Sequence, residues 1–425
     1  MIIDATRMCA LLVGLPDHVR IVGVTPLLRW LEVHIRLDAD PVVCVCRRAM
    51  IRNGTRTVVL VDLPSFGQPV RLVWRKQRWR CPTCGRTGTE QDPAIASPRC
   101  ALSTRAAKQA TVQVGRHGRS VTEVAGDLGC SWHPVMNAVV LFGTPLIDDP
   151  DRVGAVTAIG LDETLFARRG VFRQKQWSTQ IVDVRRGQLI DVVPGRDGHA
   201  AASWFNDQLQ HWREAIRWAT LDLSSSYRKV YDTMLPDAIQ VADPFHVVQL
   251  ANRMLDETRR RVQNETLGHR GRTGDPLYRA RRRLLLARQR LTDDQADRIA
   301  GLVRAGDPRS EVGYAYAAKE VVRQIYEHTN EVLAAVWVNE LIADFCDSSM
   351  PPEVRRMGRT IKKWKAQILA WHTSRVSNGP TEAVNNLAKR IKRVAFGITN
   401  FTHHRIRYLL YAGKPNWELL DTITP

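Results

Sequence analysis

The stretch Ala155-Val-Thr-Ala-Ile-Gly-Leu-Asp162 is an apolar run that ends in a carboxylate, and it opens a regular alternation of strand-like and helix-like segments. The predicted elements are strands over 155–162, 176–184, 188–193, 215–222 and 238–242, with helices over 200–212, over 227–235 and from Pro244 onward. Three strands joined by short turns, followed by alternating helices and strands, are typical of a ribonuclease H-like fold. We therefore expect a mixed five-stranded sheet with helices as the core of a multidomain α/β protein.

Two acidic residues stand at the ends of predicted strands in this region. Asp162 closes the first strand and Asp222 closes the fourth. Carboxylates at the C-terminal ends of adjacent strands meet in the crevice where such sheets bind ligands. A carboxylate there costs stability unless it is paired or holds a metal ion, which favours a functional role. Asp243 is a third candidate, although it is equally suited to cap the helix that begins at Pro244.

The composition describes a folded and strongly basic protein. The chain has 425 residues, of which 44% are hydrophobic and 25% charged, and its formal net charge is +19. These values exclude wholesale disorder, and no window approaches the ~18 uninterrupted apolar residues of a membrane span. Because the opening segment is also a poor signal peptide, we expect a soluble, cytoplasmic protein. The charge lies in residues 1–150 (+7) and 251–425 (+12) around a neutral centre, which indicates a polyanionic partner unless these are solvated helix faces.

Four of the eight cysteines are clustered in sequence, as Cys44, Cys46, Cys81 and Cys84. Strand-like runs over 57–63 and 68–75, with a turn between them, connect the two pairs. Two cysteine knuckles linked by a hairpin predict a zinc ribbon, in which four thiolates hold a structural Zn²⁺. The first pair has one residue fewer between its cysteines than is usual, so four unmetallated thiols are the alternative.

Residues 103–141 have the pattern of a helix-turn-helix. Helices are predicted over 104–117 and 121–128, and a turn containing Gly129 leads into a further helix from Trp132. The second helix of such a motif enters a major groove, and contacts to base edges come from its N-terminal part. The residues expected to contact DNA are Ser131, Trp132, His133 and Asn137. The alternative is a helix pair that only packs.

The C-terminal third is helical and basic. Residues 251–372 have helical periodicity, and Lys362 and Lys363 belong to a basic stretch that we expect to contact phosphates. Ser377-Asn-Gly-Pro-Thr-Glu382 then opens another helix, on which Glu382, Asn385, Asn386 and Lys389 form one polar face. Glu382 is thus able to point at the strand ends that carry the two aspartates. Its alternative role is a first-turn glutamate that is favoured by the helix dipole.

These segments together resemble the DDE transposases of the ISL-three family of bacterial insertion sequences. The resemblance covers nearly the whole chain. It rests on Arg78-Trp-Arg-Cys-Pro-Thr-Cys84, the Leu-Gly-Cys-Ser-Trp132 turn, Ile159-Gly-Leu-Asp-Glu163, Asp222 with Tyr227, Ala242-Asp-Pro-Phe-His246, Ser377-Asn-Gly-Pro-Thr-Glu382 and the tail from Arg390 to Phe401. The chain departs from the family at Cys44-Val-Cys46, where two residues usually separate the cysteines.

The resemblance implies that Asp162, Asp222 and Glu382 form a catalytic triad, with a helical insertion before the glutamate. Such carboxylates hold two Mg²⁺ or Mn²⁺ ions, since both metals prefer oxygen ligands. Water then cleaves DNA at the ends of the element, and the freed 3′-hydroxyl attacks target DNA. The ribbon and the helix-turn-helix would recognise terminal inverted repeats in double-stranded DNA, while Lys389 and Arg390 add to the phosphate-binding surface. Joining two ends requires a homodimer or a higher oligomer.

The expected domains are a zinc ribbon over 1–98, a helix-turn-helix over 99–150, the first part of the catalytic core over 151–250, the helical insertion over 251–372, and the glutamate-bearing helix with the tail over 373–425. The function expected from this organisation is metal-dependent DNA transposition by a cytoplasmic, nucleoid-associated enzyme with no membrane partner. Two alternatives remain open: a DNA-binding regulator with an inert catalytic domain, and a nuclease of the same fold that cleaves without joining.

Overall fold

The N-terminal part of the chain forms a five-stranded sheet around a long hairpin. The computed structural model describes residues 13–38, 42–223 and 225–424. The strands of this first sheet are β1 (Val19–Pro26), β2 (Leu31–Leu37), β3 (Ile51–Ser65), β4 (Gln68–Arg80) and β5 (Thr87–Thr89). The order is β1-β2-β4-β3, with β5 also on β4. The hairpin predicted from the sequence is therefore confirmed, and both of its strands are longer than predicted.

Alternating apolar residues give this sheet a core of its own. Ile35, Leu72 and Trp74 are fully buried in it. Their positions on β2 and β4, two residues apart within β4, place them on one face of the sheet, as the two-residue period of a strand requires. The first sheet is thus partly stabilised by apolar burial, and not by the cysteine cluster alone.

Three helices follow the first sheet: α1 (Thr104–Thr111), continued by a π-helical turn over Val112–Arg116, α2 (Val121–Asp127) and α3 (Trp132–Ile147). Ser103 caps α1, and Ser120 with Glu123 forms a capping box on α2. Gly129, at φ +62°, turns the chain between α2 and α3. The predicted helices are present, and α3 continues beyond the predicted segment in spite of Pro145.

The second sheet also has five strands: β6 (Ala158–Arg169), β7 (Gln174–Asp183), β8 (Gln188–Pro194), β9 (Trp218–Leu221) and β10 (Ile239–Ala242). They are ordered β10-β9-β6-β7-β8. Strands β6, β7 and β8 form an antiparallel meander, whereas β9 and β10 run parallel to β6. The mixed five-stranded sheet expected from the sequence is confirmed.

Two details of this region were predicted wrongly. Asp162 does not close its strand, because β6 continues to Arg169 through antiparallel pairing with β7. The helix predicted over 200–212 is two helices, α4 (His199–Asn206) and α5 (Gln210–Glu214), separated by a break in which Gln208 N donates to Phe205 O at 3.1 Å. This tighter, three-residue bond ends α4 before the exposed Leu209.

The remaining helices surround the second sheet. They are α6 (Ser225–Met234), α7 (Pro244–Leu267), α8 (Pro276–Ala280), α9 (Asp293–Gly306), α10 (Glu311–Gln324), α11 (Glu331–Cys346), α12 (Pro352–Lys363), α13 (Lys365–Ser374), α14 (Gly379–Val394) and α15 (Phe401–Ala412). Helices α7 and α13 run through the domain boundaries expected after residues 250 and 372. A periodic helical pattern contains no signal at those points, so the division into domains stays a prediction there.

Hydrophobic residues cover both faces of the second sheet. One face, with Ile159, Leu161 and Ile181, continues into the cores of α4, α6, α7 and the helices over 276–374. The other face, with Val182 and Leu189, packs against α14, α15 and the three helices α1–α3. The second sheet therefore lies between the helices over 276–374 on one face and helices α1–α3 on the other. In the described part of the chain, no helix is both long and apolar enough to cross a membrane.

Candidate active site and zinc centre

Asp162 and Asp222 come together where β9 ends beside β6. The parallel register pairs Gly160 with Thr220, and β9 stops at Leu221, so Asp222 leaves the sheet level with Asp162. The pKa of the Asp162 carboxyl is raised to about 6, mainly by burial and also by the neighbouring charge of Asp222, although the Glu163 N–H opposes this shift. The two carboxylates thus act on each other at one edge of the sheet, as the sequence predicted.

The Asp222 carboxylate has an unused acceptor atom. Its Oδ1 is buried and accepts no hydrogen bond. Leu223, directly after it, has a φ of +65°, which is strained for a residue with a branched side chain. A buried carboxylate oxygen without a protein donor, held on a strained turn, is typical of a site that binds a cation.

Glu382 lies in the first turn of α14, which docks against the same strands. Gly160 makes close docking possible, because a Cβ there would lie only 2.5 Å from Thr381 Oγ1 and 2.8 Å from Asn378 Oδ1. Thr220 Oγ1 donates to Asn378 Oδ1 at 3.0 Å. The start of the glutamate-bearing helix is therefore tied to both β6 and β9.

Asn385 connects α14 to the first aspartate. Its side-chain amide donates to Asp162 Oδ2, and its Oδ1 accepts from Thr164 Oγ1 at 3.1 Å. Asn385 shares the polar face of α14 that was predicted from the sequence, and it is buried against β6. Its two hydrogen bonds orient the Asp162 carboxylate.

His246 contacts Glu382 and lies close enough to Asp162 to act on its charge. Its Nε2 lies 3.2 Å from Glu382 Oε1, and its charge acts on Asp162, whose pKa it lowers. Asp243 has the capping role: its carboxylate accepts from His246 N at 3.3 Å and from Asn378 N at 2.8 Å. The structure thus brings the three predicted acids to one region, with the glutamate on an imidazole and not on the aspartates.

The donor set of this region fits a divalent ion that prefers oxygen. Three carboxylates are available, one of them with an orphaned buried oxygen. The side chains of Asp162, Asp222 and Glu382 do not form a closed cluster, because the four cysteines are the only compact group of possible metal ligands in the described ranges. An ion held by all three carboxylates would therefore require the Glu382 side chain to move closer to the aspartates.

The four cysteines form a preassembled metal site. All four Sγ atoms lie within 4.8 Å of one another, with 3.5 Å between Cys44 and Cys84 and 3.5 Å between Cys46 and Cys81. A tetrahedral zinc ion at about 2.3 Å from each sulfur requires comparable spacings. Backbone N–H groups of Cys84 and Thr83 lower the pKa of the Cys81 thiol to about 6, which favours the thiolate. The cluster fits a structural Zn²⁺.

The short Cys44-Val-Cys46 knuckle is accommodated by its turn. Cys44 N donates to Arg48 O at 2.8 Å, and Arg47, at φ +64°, donates its N–H to Cys44 O at 2.7 Å. This left-handed residue reverses the chain directly after Cys46. Both cysteines of the short knuckle therefore reach the cluster, in spite of the missing residue between them.

The residues expected to contact DNA are exposed. Ser131, Trp132, His133 and Asn137 project from the N-terminal half of α3, and Ser131 is its N-cap. The Trp132 ring lies 5.6 Å from that of His403 on α15. Arg71 of the first sheet donates to Leu128 O and Gly129 O in the turn before α3, so the ribbon sheet contacts that turn.

The four basic residues predicted to bind phosphates also face solvent. Lys362 and Lys363 end α12, and Lys389 and Arg390 lie on the outer side of α14. The Lys363 ammonium lies 5.6 Å from the Trp364 ring. The two pairs are thus accessible to a polyanion, which is the condition that their predicted role requires.

Sequence reasoning missed Gly160, Thr220, His246, Asn378 and Asn385 as parts of the site. Gly160, His246 and Asn378 belong to the motifs on which the resemblance rests, Ile159–Glu163, Ala242–His246 and Ser377–Glu382, whereas Thr220 and Asn385 lie outside them. For the first three, this membership was a signal, but the contacts that build the site span up to 223 residues of chain. Such long-range contacts depend on how the elements pack.

Comparison with known proteins identifies the class of this chain. A family model of the ISL3 group, described as "Transposase", matches residues 159–408. A second, described as "zinc-finger of transposase IS204/IS1001/IS1096/IS1165", matches residues 43–84, which include all four clustered cysteines. The chain belongs to the ISL3 family of transposases.

Individual relatives carry transposase names. The chain is 30% identical over 272 residues to the transposase for insertion sequence element IS1557 of two Mycobacterium tuberculosis strains, a match that covers 58% of each chain. It is 24% identical over 372 residues to the transposase for insertion sequence element IS1001 of Bordetella parapertussis, covering 87% of this chain and 88% of that one. The chain thus spans somewhat more than half the length of the mycobacterial relatives.

Proposed function

We propose that this protein is a DDE transposase, which cleaves DNA at the ends of an insertion sequence and joins those ends to target DNA. Its family membership supports transposition as the activity. The strand order β8-β7-β6-β9-β10, with β9 and β10 parallel to β6, supports a ribonuclease H-like core for the second sheet. In this proposal the core carries the chemistry, and the ribbon and α1–α3 select the DNA.

One observation carries the proposal: Asp162 and Asp222 meet at the edge of the sheet, and the helix that bears Glu382 is docked on the same two strands. When bound by these three carboxylates, two Mg²⁺ or Mn²⁺ ions would activate the attacking oxygen and stabilise the leaving oxygen. Asn385 orients the Asp162 carboxylate toward this site, and His246 holds Glu382 nearby.

The proposed reaction has two phosphoryl transfers. In the first, the oxygen of water bonds to a phosphorus at the end of the element, and the bond to the 3′-oxygen breaks. In the second, the freed 3′-hydroxyl bonds to a phosphorus of the target strand, and the target's own 3′-oxygen leaves. The number of phosphodiester bonds does not change in the second step, so no external energy source is needed.

The DNA-binding part of the proposal rests on α2, α3 and the ribbon. Helix α3 presents Ser131, Trp132, His133 and Asn137 in the order expected of a recognition helix, and Arg71 connects its preceding turn to the first sheet. Their proposed targets are the terminal inverted repeats of double-stranded DNA. Because two ends are joined in one event, the active form on DNA is at least a homodimer.

The test supplies duplexes from the DNA that flanks the gene, Mg²⁺ and a target plasmid. Wild-type protein should cleave and join. Asp162→Asn should lower cleavage by more than about a thousandfold, because several kcal/mol of metal-derived stabilisation are lost, while it still binds the duplex. The control is Asp297→Asn on α9, an exposed acid far along the chain from the site.

Each result has a distinct meaning. Salt-sensitive binding without cleavage would support a regulator with an inert core, and cleavage without joining would support a nuclease. Equal affinity for an unrelated duplex would contradict recognition of the ends. Cleavage that persists in Asp162→Asn would remove this aspartate from the active site.

A further inference from the structure

The hairpin that begins at the active site extends beyond the rest of its sheet. Within the described residues, β9 pairs with β6 only over Ala158–Gly160, and β8 pairs with β7 only from Ser178 onward. From Leu165 to Trp177 the two strands therefore continue as a ribbon of two strands. Asp162 lies on β6 only a few residues before this projection begins.

The end of this projection combines exposed apolar residues with positive charge. The hairpin tip, defined here as Arg168–Lys175, reads Arg-Arg-Gly-Val-Phe-Arg-Gln-Lys and contains no acidic residue. Val171 and Phe172 are 94% and 88% exposed. An isolated Phe in water has no structural role, and four neighbouring cations repel one another. A polyanion that offers an apolar interior, such as stacked DNA, satisfies both features.

The hairpin is mounted firmly at its base. Phe166 occupies a bulge in β6 and packs edge-on against Phe401, with ring centroids 5.7 Å apart. Lys392 of α14 donates to Leu165 O at 2.6 Å, and Arg169 donates to Thr399 O. The turn itself is closed by Arg173 N, which donates to Gly170 O at 3.0 Å. The base of the hairpin is therefore held by the helix that carries Glu382, and the tip by the segment that follows that helix.

A groove of 320 Å³ opens beside the base of the hairpin, between Trp177, Arg196 and Phe401. The Arg196 guanidinium stacks 4.6 Å from the Trp177 ring, and Arg169 and Lys175 line the same groove, with Asp197 as its acid. Arg196 is also close enough to Glu163 to stabilise its charge. Trp177 pairs with Leu165, about 10 Å along β6 from Asp162.

We propose that the hairpin tip opens the DNA duplex beside the proposed cleavage site, with Phe172 inserted into the base stack and a displaced nucleotide received in the Trp177 groove. The inference rests on the proposed function for its substrate. Apolar side chains unstack base steps when they enter them, and an unpaired base stacks on an aromatic ring or on an arginine plane. Arg169, Lys175 and Arg196 supply the charge for the phosphate of that nucleotide.

The first test measures opening without cleavage. Duplexes spanning the junction between element and flank carry 2-aminopurine at successive positions, and they are mixed with protein in the absence of divalent ions. Wild type should raise the fluorescence at one or two positions in the strand opposite the displaced nucleotide, because a probe there loses a stacking neighbour and does not enter the Trp177 groove. Phe172→Ser should abolish the rise, and Leu209→Ser, which changes another exposed apolar residue, should retain it.

The second test adds Mg²⁺ and compares paired ends with ends whose bases are already unpaired at the cleavage site. Phe172→Ser should cleave paired ends roughly tenfold more slowly or worse, and pre-opened ends at nearly the wild-type rate, since the lost stacking energy is no longer required. A fluorescence rise that persists in Phe172→Ser, or an equal loss on both substrates, would overturn the proposal. If wild type cleaves nothing, the proposed function fails, but the fluorescence test still decides the role of the hairpin.

A different occupant would give a different result. If Val171 and Phe172 instead cover a second copy of the chain, Phe172→Ser should reduce the mass measured by light scattering without DNA and leave 2-aminopurine fluorescence as in wild type. That outcome would show that Phe172 belongs to a protein interface and does not open DNA. Arg196→Ala tests the groove separately: it should keep the fluorescence rise and weaken retention of the pre-opened duplex.

Discussion

The cysteine cluster and the acid site assemble their side chains in opposite ways. The four cysteines come from two turns at the ends of one hairpin, and their sulfur atoms already lie within 4.8 Å of one another. The acids come from a strand, a strand end and a helix, and Glu382 contacts His246 instead of either aspartate. The cysteine cluster already has the geometry of a metal site, whereas the three acids lie in one region without forming a compact cluster.

The two regions hold their functional side chains in place by different means. The cysteines belong to a small sheet in which a metal ion adds folding free energy, so their arrangement serves stability. The acids are held by packing and hydrogen bonds that involve Gly160, Asn378 and Asn385, so their arrangement depends on how the strands and α14 pack. Carboxylates that are not closed into one cluster suit the proposed site, in which the ions must also contact a substrate.

Removal of the zinc ligands should produce the largest effect. Cys81→Ser deletes one of four thiolates, and structural zinc contributes about 10 kcal/mol in isolated zinc-finger peptides, so we expect residues 43–84 to lose their order while β6–β10 stay folded. Metal analysis and amide hydrogen exchange measure the two effects. Cys100→Ser, a half-buried cysteine outside the cluster, should keep both zinc and protection. Loss of protection throughout the second sheet would contradict the separation of the two regions.

Gly160→Ala should disturb the acid site and spare the ribbon. The added Cβ would lie 2.5 Å from Thr381 Oγ1 and 2.7 Å from Thr220 Oγ1, so α14 must shift. We expect a loss of about 2–3 kcal/mol in unfolding free energy, measured by denaturant titration, with unchanged zinc content. Gly301→Ala, on α9 with open space around its Cα, should be neutral or slightly stabilising. An unchanged stability for Gly160→Ala would show that α14 is not docked as described.

Asn385→Ala should slow the proposed chemistry without removing any acid. The variant loses the donor to Asp162 Oδ2 and the acceptor for Thr164, so the carboxylate is no longer oriented. We expect DNA cleavage to fall roughly tenfold to 100-fold and the Mg²⁺ concentration for half-maximal rate to rise. Asn386→Ala changes the exposed neighbour and should leave both quantities as in wild type. An effect on folding alone would shift stability without changing the Mg²⁺ dependence.

The smallest effect is on the pH dependence of folding stability. It comes from His404, which lies behind the β6–β7 hairpin. Burial, with the charges of Lys392 and Arg407, lowers the pKa of His404 to about 3. An unfolded histidine titrates near 6.5, so the stability that neutral His404 contributes is present above that pH and is lost as pH falls, by about 1.4 kcal/mol per unit.

The measurement compares thermal or denaturant unfolding at pH 7.5 and 5.5. Wild type should lose about 1 kcal/mol more than His404→Gln over this interval, because only the wild type carries the buried imidazole. His117→Gln, at an exposed position, should follow the wild-type curve. Parallel curves for wild type and His404→Gln would show that the ring accepts a proton without cost.

The sequence predicted the elements of the second sheet more accurately than their ends. Apolar runs such as Ala155–Asp162 and Gln188–Val193 identified strands, because burial on both faces leaves a continuous apolar signal. It did not show that β6 continues to Arg169, since residues 163–169 are mixed in polarity and are held by pairing with β7. The split between α4 and α5 depends on a local 3.1 Å bond that periodicity does not report.

The sequence predicted the acids of the candidate site, but it did not predict the residues that hold those acids in place. Asp162, Asp222 and Glu382 stand out in sequence because charged residues border apolar runs. Asn385 and His246 do not, because their roles come from contacts between elements far apart in the chain. The short first cysteine knuckle was the opposite case: its spacing was unusual, yet a left-handed turn at Arg47 brings both thiols to the cluster.

The hydrogen bond from Asn378 N to Asp243 Oδ1 joins two residues that are 135 positions apart. It joins the two ends of the intervening helical segment, so that these helices form a lobe. The two ends of the lobe, called its stems here, are Asp243 and Asn378, and both lie at the sheet. Changes of length within that lobe should not displace Glu382, provided that both stems and the apolar contacts of the lobe with the sheet are retained. The lobe is therefore a place where related elements are free to diverge in length while the reacting groups keep their positions.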